Sequence, residues 1–525
     1  MKEISAPTVS AYIVKKSLEF TREQRRTIFD KTDCNMFNFP SGMVMVDLLT
    51  DSGTSALYQP MWAALMLGDE SYARNSWYYI FLDAIRDFTE RGDKPNKRYL
   101  SLFEDPEDYE KIEKNLAEDE KERGFVNGGV TQLEHPNFFI LPQGRCCENV
   151  LFESLRNYWK EEKNPLILSN GLFDTTRANL KLRDFEGIDL FMADIFAEYP
   201  LEKVGKENPF RGNMNIEKLE KILDKDAKKT ALIVMTLTNN TGAGQPVSMQ
   251  NMKDVRKLCE KHNIPLWIDA ARIVDNAALI KRYEKGYEKI SIPEILKELF
   301  SMADGFHYSL KKTLGNMGGV MCSKHEGLFD KRYPKIGDIM KKHQIINYGN
   351  DSYGGMSGRD IAAITVGLYQ VIKESHIYSR INQCEYLAVE LAKKGVPVVL
   401  PPGSHAVYVD INRMFKDASW EDFMGIGVTA ELLINYGIRT CELGYMAWEL
   451  DVYVEKHGKL PDQMPPNLVR LAVPANVYNK EHMDYVVEAF DEVNKNKDKI
   501  PVYEVCRGKN APLRHFIVGL KPKKK

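Results

Sequence analysis

Two adjacent lysines, Lys311 and Lys312 in SLKKTLGNMGG, follow an apolar, strand-like stretch and precede a glycine-rich turn. Surface lysines are abundant and need no function, so the pair gains meaning only from its company. Upstream, Asp269 closes the hydrophobic run PLWID, where a strand would end. An acid at a strand end, a downstream lysine and an anion-binding turn are the parts that pyridoxal phosphate needs. The lysine forms the covalent link to the cofactor, and the acid keeps the pyridine nitrogen protonated so that the ring can accept electrons.

The anion-binding turn has its own candidate. In LPQGRCCENVLFESLRNYW, Gln143, Gly144 and Arg145 stand at the start of an amphipathic helix, where free backbone N–H groups and the helix dipole favour a phosphate. In NGLFDTTRANL, Phe173 sits in a polar, glycine-preceded segment where a flat ring could stack on the cofactor; core packing is the competing reading. Each piece is weak alone. Their order is more specific: QGR, the aromatic ring, Asn240, Asp269 with Arg272, then Ser309 and Lys312.

These residues need a scaffold. From about residue 165 to 325, short apolar runs (PLILSN, IDLFMAD, TALIVMTLTNN, IPLWIDAAR, MGGVMCSK) alternate with helical patterns (NIEKLEKILDKD, MQNMKDVRKLCEKH, PEILKELFSM). Such alternation predicts crossover units and a mostly parallel sheet covered on both faces, with ligands beyond the carboxyl ends of the strands. After about residue 370 amphipathic helices surround a few strands, SHAVYVDI and LVRLAV the clearest, which predicts a smaller α+β domain. We expect residues 1–56 to join that domain, 57–370 to form the large cofactor-binding domain, and 371–525 to form the small one. The segment Glu104–Arg123 is almost entirely charged, with Tyr109, Ile112 and Leu116 as a thin apolar stripe, and reads as a solvated helix or a lid.

Composition bounds the rest. The 525 residues carry 72 Lys+Arg against 74 Asp+Glu, so no basic excess argues for nucleic acid or an anionic membrane. Eight cysteines without any CxxC favour reduced thiols over zinc or a disulfide scaffold. The N-terminus lacks an apolar block with a cleavage site, which predicts a cytoplasmic protein. The most apolar stretch, ALIVMTL, is far short of the roughly 20 residues needed to cross a bilayer. Neither GxGxxG nor GxxxxGK[ST] is present, which leaves a nucleotide-binding enzyme without support.

The segments VDLLTDSGTSAL, LGDESYA, PQGRCCENV, FDTTR, TNNTGAGQPVSMQNM, IDAARIVDNAALIK, SLKK, GNMGG, GSHAVYVD, LVRLAVP and PLRHF together resemble those of the tryptophanase and tyrosine phenol-lyase family. The resemblance spans nearly the whole chain except the extreme N-terminus and an insertion at about 88–135. It implies a pyridoxal-phosphate β-eliminating lyase of the aspartate-aminotransferase-like α/β fold, usually a homotetramer built from catalytic dimers and acting on an amino acid. By this resemblance Lys312 is the cofactor-linking lysine. Gln143, Gly144, Arg145, Ser309 and Lys311 form the phosphate cradle, Phe173 the stacking ring, and Asp269 the pyridine partner. Asn240 and Arg272 lie near the cofactor's phenolic oxygen. Arg470 grips the substrate carboxylate, and Thr50, Phe37, Asn240, Leu443 and His515 complete the substrate side. Tyr72 takes the catalytic tyrosine position, with Asp174 as a second candidate acid. Potassium is implied, with Glu70 and the carbonyls of Gly53 and Asn316 as ligands.

Three positions speak to the leaving group. Asp174 after the stacking ring, apolar Leu443, and His515 in PLRHF are tryptophanase-like and favour indole over phenol. The chain also departs from the family in ways that would retune the pocket: Cys146 and Cys147 replace small residues after QGR, Ala475 replaces an arginine, the KKTLGN loop is one residue short, and GRD after SYGGMS is phenol-lyase-like. Tyrosine, or another amino acid such as a cysteine conjugate, therefore remains an alternative substrate. The two cysteines beside a phosphate cradle are expected to feel a positive field that favours the thiolate.

Overall fold

The structure, a computed structural model, describes residues 18–100 and 137–523. The expected charged helix at Glu104–Arg123 lies outside the described residues. The chain forms two compact units: Ser52–Ile195 with Asn208–Tyr378, and Met1–Asp51 with Phe196–Glu207 and Ser379–Lys525. The short excursion Phe196–Glu207, which carries no compositional signal, groups with the second unit.

The first unit is built on a seven-stranded sheet. Its strands are β1 (Phe138–Leu141), β2 (Leu166–Ser169), β3 (Glu186–Asp189), β4 (Thr230–Thr236), β5 (Leu266–Asp269), β6 (Gly305–Ser309) and β7 (Gly319–Ser323). Their spatial order is β1-β7-β6-β5-β4-β2-β3. Only β7 runs against the others, pairing antiparallel with both β1 and β6. Every residue of β4 is buried, as expected for a central strand covered on both faces. The edge strand β3 begins earlier than the run IDLFMAD suggested; Glu186–Asp189 pair with β2, and the more apolar residues beyond are past the end of the ladder.

The three crossover helices expected from periodicity form at Ile216–Asp226, Met249–His262 and Ile292–Ser301. Each starts where a side chain accepts an orphan backbone N–H: Asn215 from Lys218, Ser248 from Asn251, and Ser291 from Glu294. Phe139, Leu151, Ile167, Leu232 and Trp267 pack with Phe329 and Met340 into the core on one face of the sheet. The parallel strands β2, β4, β5 and β6 thereby end at one edge, where Phe173 and Asn240 follow β2 and β4 and Asp269 and Ser309 close β5 and β6.

The second unit holds a three-stranded antiparallel sheet of β8 (Ala406–Asp410), β9 (Cys441–Leu443) and β10 (Leu468–Ala472), in the order β9-β10-β8. Its core includes Leu387, Leu391, Val407, Val409, Leu432 and Phe490. Val46–Asp47, from the start of the chain, pair parallel with Ile438–Arg439, and the Arg439 guanidinium ion-pairs with Asp47. Among the described residues no helix is long and apolar enough to cross a membrane.

Candidate active site

The phosphate candidates come together at the start of the helix Gly144–Arg156. Gln143 precedes it in extended conformation and its side chain makes no capping bond. Gly144 lies so close to the end of β6 that an added Cβ would sit 2.8 Å from the Ser309 Cβ. Glycine is what lets the helix start meet the strand end. Burial, and then the charge of Arg145, push the Lys311 ammonium below its usual value. Two cations held near one another at a helix N-terminus make a donor set suited to a phosphate dianion.

The ring end follows. Leu310 N–H donates to Gly318 O at 3.0 Å, which closes the loop that carries the lysines. Lys312 Nζ lies 5.9 Å from the centroid of the Phe173 ring, so amine and ring face a common space. Phe173 is the cap residue of the helix Asp174–Leu182, and Asp174 accepts the Thr175 N–H at 2.6 Å. Leu237 N–H donates to Asp269 O and Arg272 N–H to Leu237 O, both at 3.0 Å. These bonds knit Asp269 and Arg272 to the loop that leads to Asn240, and all three residues are buried.

Behind Asp269 stand residues that sequence reasoning missed. His307 Nε2 is 3.4 Å from Asp269 Oδ1 and 3.9 Å from Glu148 Oε1. Trp267 Nε1–H donates to His307 Nδ1 at 3.0 Å. Glu148 accepts the hydroxyls of Thr175 and Thr176, and burial raises its carboxyl. A readable signal existed: in GFHYS the histidine lies two residues before Ser309, hence on the same face of the strand.

Among the described residues Tyr72 and Glu70 make no hydrogen bond or ion pair with this group. Tyr72 is 72% exposed and packs edge-on against Tyr353, with ring centroids 5.5 Å apart. Glu70 pairs with Arg359 of the GRD motif at 2.5 Å, and no contact among the described residues links it to Gly53 or Asn316. Gly53 N–H donates to Lys311 O at 2.7 Å, and Asn316 Nδ2 is buried without a hydrogen-bond partner among the described residues. Thr50, Phe37, Leu443, Arg470 and His515 belong to the second unit. There Arg470 Nη2–H donates to Leu49 O at 2.9 Å, beside Thr50 in the chain. Phe37 and His515 meet edge-on at 5.7 Å and line a small cavity with Glu442, Met446 and Asn35. Leu443 ends β9, and its carbonyl accepts the Trp448 indole N–H at 3.1 Å. The expectation of thiolate-favouring cysteines is overturned: burial outweighs the nearby Arg145, raising the Cys146 thiol, and pushes Cys147 up much further.

The sequence profile of the beta-eliminating lyases matches residues 47–489, most of the chain. The chain belongs to the beta-eliminating lyase family. The lyase is 33% identical to a tryptophanase of Salinibacter ruber, over 96% of this chain and 92% of that protein. It is 32% identical to a tyrosine phenol-lyase of Pasteurella multocida, over 96% and 95%. An aspartate aminotransferase from Thermotoga maritima superposes on it with a TM-score of 0.51 at 13% identity, covering 91% of this chain and 95% of that one. The lyase therefore has the aspartate-aminotransferase-like fold that the family resemblance implied. Family and fold together make it a pyridoxal-phosphate-dependent lyase, and the helix-start cradle, the amine facing Phe173 and the acid at the end of β5 fit that cofactor.

Proposed function

We propose that the lyase cleaves the side chain from an aromatic amino acid by β-elimination, L-tryptophan foremost, releasing indole, pyruvate and ammonia. The observation that carries this reading is the Lys312 amine facing the Phe173 ring, with Asp174 next in the chain and Asp269 at the adjoining strand end. Pyridoxal phosphate, when bound, supplies an electron sink for the charge left on the substrate's Cα. The chain supplies the rest. Gln143, Gly144, Arg145, Ser309 and Lys311 hold the phosphate. Asp269 keeps the ring nitrogen protonated, and Lys312 removes the Cα proton. Arg470 takes the substrate carboxylate in a planar fork, a task an ammonium does less well.

An aryl group leaves only after its attachment carbon gains a proton, so an acid must stand near it. Asp174 is one candidate and Tyr72 the other; a hydrogen bond with Tyr353 raises the Tyr72 phenol above its usual value. Because Tyr72 is exposed on its own chain, we assign it to the site of a second subunit. Trp62, Met66 and Leu67, exposed on the preceding helix Gln59–Leu67, form an apolar surface suited to such a contact. Potassium fits this arrangement only with Glu70 contributed across the same contact. Asp174, apolar Leu443 and His515 favour indole as the leaving group, whereas relatives of both specificities are about equally similar to the chain.

The deciding experiment measures pyruvate and the released side chain from purified protein with pyridoxal phosphate and potassium. L-tryptophan, L-tyrosine, L-cysteine and S-alkyl cysteines are offered in parallel, with Lys312→Ala as blank. Indole from tryptophan is the expected result. Turnover of tyrosine or of small thiol substrates alone would keep the elimination and overturn the leaving group.

A further inference from the structure

The geometry behind Asp269 carries an assignment of its own. β5 and β6 run parallel with Asp269 opposite His307 and Trp267 opposite Gly305. All four residues lie on one face of the sheet, because side chains two apart share a face. At Gly305 an added Cβ would lie 2.1 Å from Trp267 Cζ3, so the missing side chain is the space that the indole fills. From that seat the indole N–H reaches His307 Nδ1 at 3.0 Å. Indole nitrogen only donates, so Nδ1 must present a lone pair and the imidazole carries its single proton on Nε2. A protonated ring would turn a second N–H against the indole. Nε2 lies 3.4 Å from Asp269 Oδ1 and 3.9 Å from Glu148 Oε1, within electrostatic reach of both and without a formed hydrogen bond to either. Both contacts of Asp269, the second being the Ala271 N–H at 3.1 Å, fall on Oδ1, and the side chain keeps 10% exposure.

We propose that His307 is a positioning residue for Asp269: a neutral imidazole, fixed as the Nε2–H tautomer by Trp267, that steadies the carboxylate through Oδ1 and leaves Oδ2 for the nitrogen of the cofactor ring. The assignment rests on reading Asp269 as the ring-nitrogen partner. A neutral donor supports the carboxylate without cancelling its charge, whereas an imidazolium there would weaken its hold on a protonated ring nitrogen. The groups facing the imidazole are Asp269 from β5 and Glu148 from the helix Gly144–Arg156, the latter held by the hydroxyls of Thr175 and Thr176. β7 presents Met321 at the same register, an apolar neighbour.

The test uses cofactor-free protein and two readouts other than turnover: the dissociation constant for pyridoxal phosphate by equilibrium dialysis, and the pH titration of the bound cofactor's visible spectrum. His307→Phe removes the donor while filling the space; we expect about tenfold weaker binding, the scale of one hydrogen bond to a charged group, and a displaced spectral titration. His307→Gln keeps an N–H donor, with binding expected within about threefold of wild type if that donor is what matters. Trp267→Phe frees the tautomer and should displace the titration in the same sense as His307→Phe. A His307→Phe protein with wild-type affinity and spectrum overturns the assignment, even if it melts earlier. So does a His307→Gln protein as impaired as His307→Phe. Asp269→Asn separates the two levels: if it alone is impaired, the His307 proposal fails, and if it too behaves as wild type, the reading of Asp269 fails. Should His307→Phe not fold, wild-type behaviour of Trp267→Phe in both readouts overturns the proposal.

Discussion

Replacing Gly144 by alanine tests whether the phosphate cradle depends on the contact between the helix start and β6. The new Cβ would lie 2.8 Å from the Ser309 Cβ, against an ordinary carbon separation of about 3.5–4.0 Å. Neither atom is the free end of a long side chain, so the helix start and the strand end must part by roughly 1 Å. Hydrogen bonds to a phosphate tolerate little of that, and losing one to a charged group costs about 1.5–3 kcal/mol. Gly144→Ala is therefore expected to bind pyridoxal phosphate at least about tenfold more weakly. Overpacking should also cost about 1–3 kcal/mol of stability. Equilibrium dialysis of cofactor-free protein gives the first figure and thermal melting the second. Adding Ser309→Gly removes the opposing Cβ and should recover stability and affinity only in part, since a strand glycine is less stable and the hydroxyl is lost with it. Affinity within twofold of wild type in the single variant, with unchanged melting, would refute the reasoning.

If Tyr72 serves a second subunit, Tyr72→Phe and Lys312→Ala proteins, each nearly inactive, should regain activity when mixed and refolded together, because a mixed dimer assembles one intact site; no recovery in verified mixed dimers would place Tyr72 elsewhere. Raised thiols at Cys146 and Cys147 predict slow alkylation at neutral pH, with exposed Cys506 labelled first, read by peptide mass spectrometry. Any loss of activity that peroxide causes in wild type should be the same in Cys146→Ala and Cys147→Ala. Burial lifts the Glu442 carboxyl to about 7 from 4.5. The unfolded chain releases this proton first, so the native state's advantage is whole below about 4.5 and lost as pH rises through about 7, a change of up to about 3 kcal/mol. The melting temperature of wild type relative to Glu442→Gln should fall across that window; a flat difference would deny the shift.

The parts of this site legible in the sequence were those written by local rules. Ser248 before a helical period and the apolar run ALIVM announce their elements without tertiary knowledge, and QGR before an amphipathic helix announces an anion site. His307 and Glu148 escaped because their meaning is made by register between strands and by a helix packed over them, neither of which is local. The cysteines misled for a related reason: the charge of Arg145 is visible in the chain, whereas the depth of burial that outweighs it is not. Tyr72 and Glu70 were found as motif positions, yet their exposure on a single chain is a property only the fold displays.

The pairing of Val46–Asp47 with Ile438–Arg439 also sets a clock. Asp47 and Arg439 are 392 residues apart in the chain. At a synthesis rate of about 5–20 residues per second, the first strand waits roughly 20–80 s for its partner to leave the ribosome. During that wait Phe29, Phe39, Val46 and Leu48, all buried in the finished protein, have no core to enter. Completion of the second unit is thus a late event, and until then the nascent N-terminal stretch is open to chaperones and to misassociation between neighbouring chains.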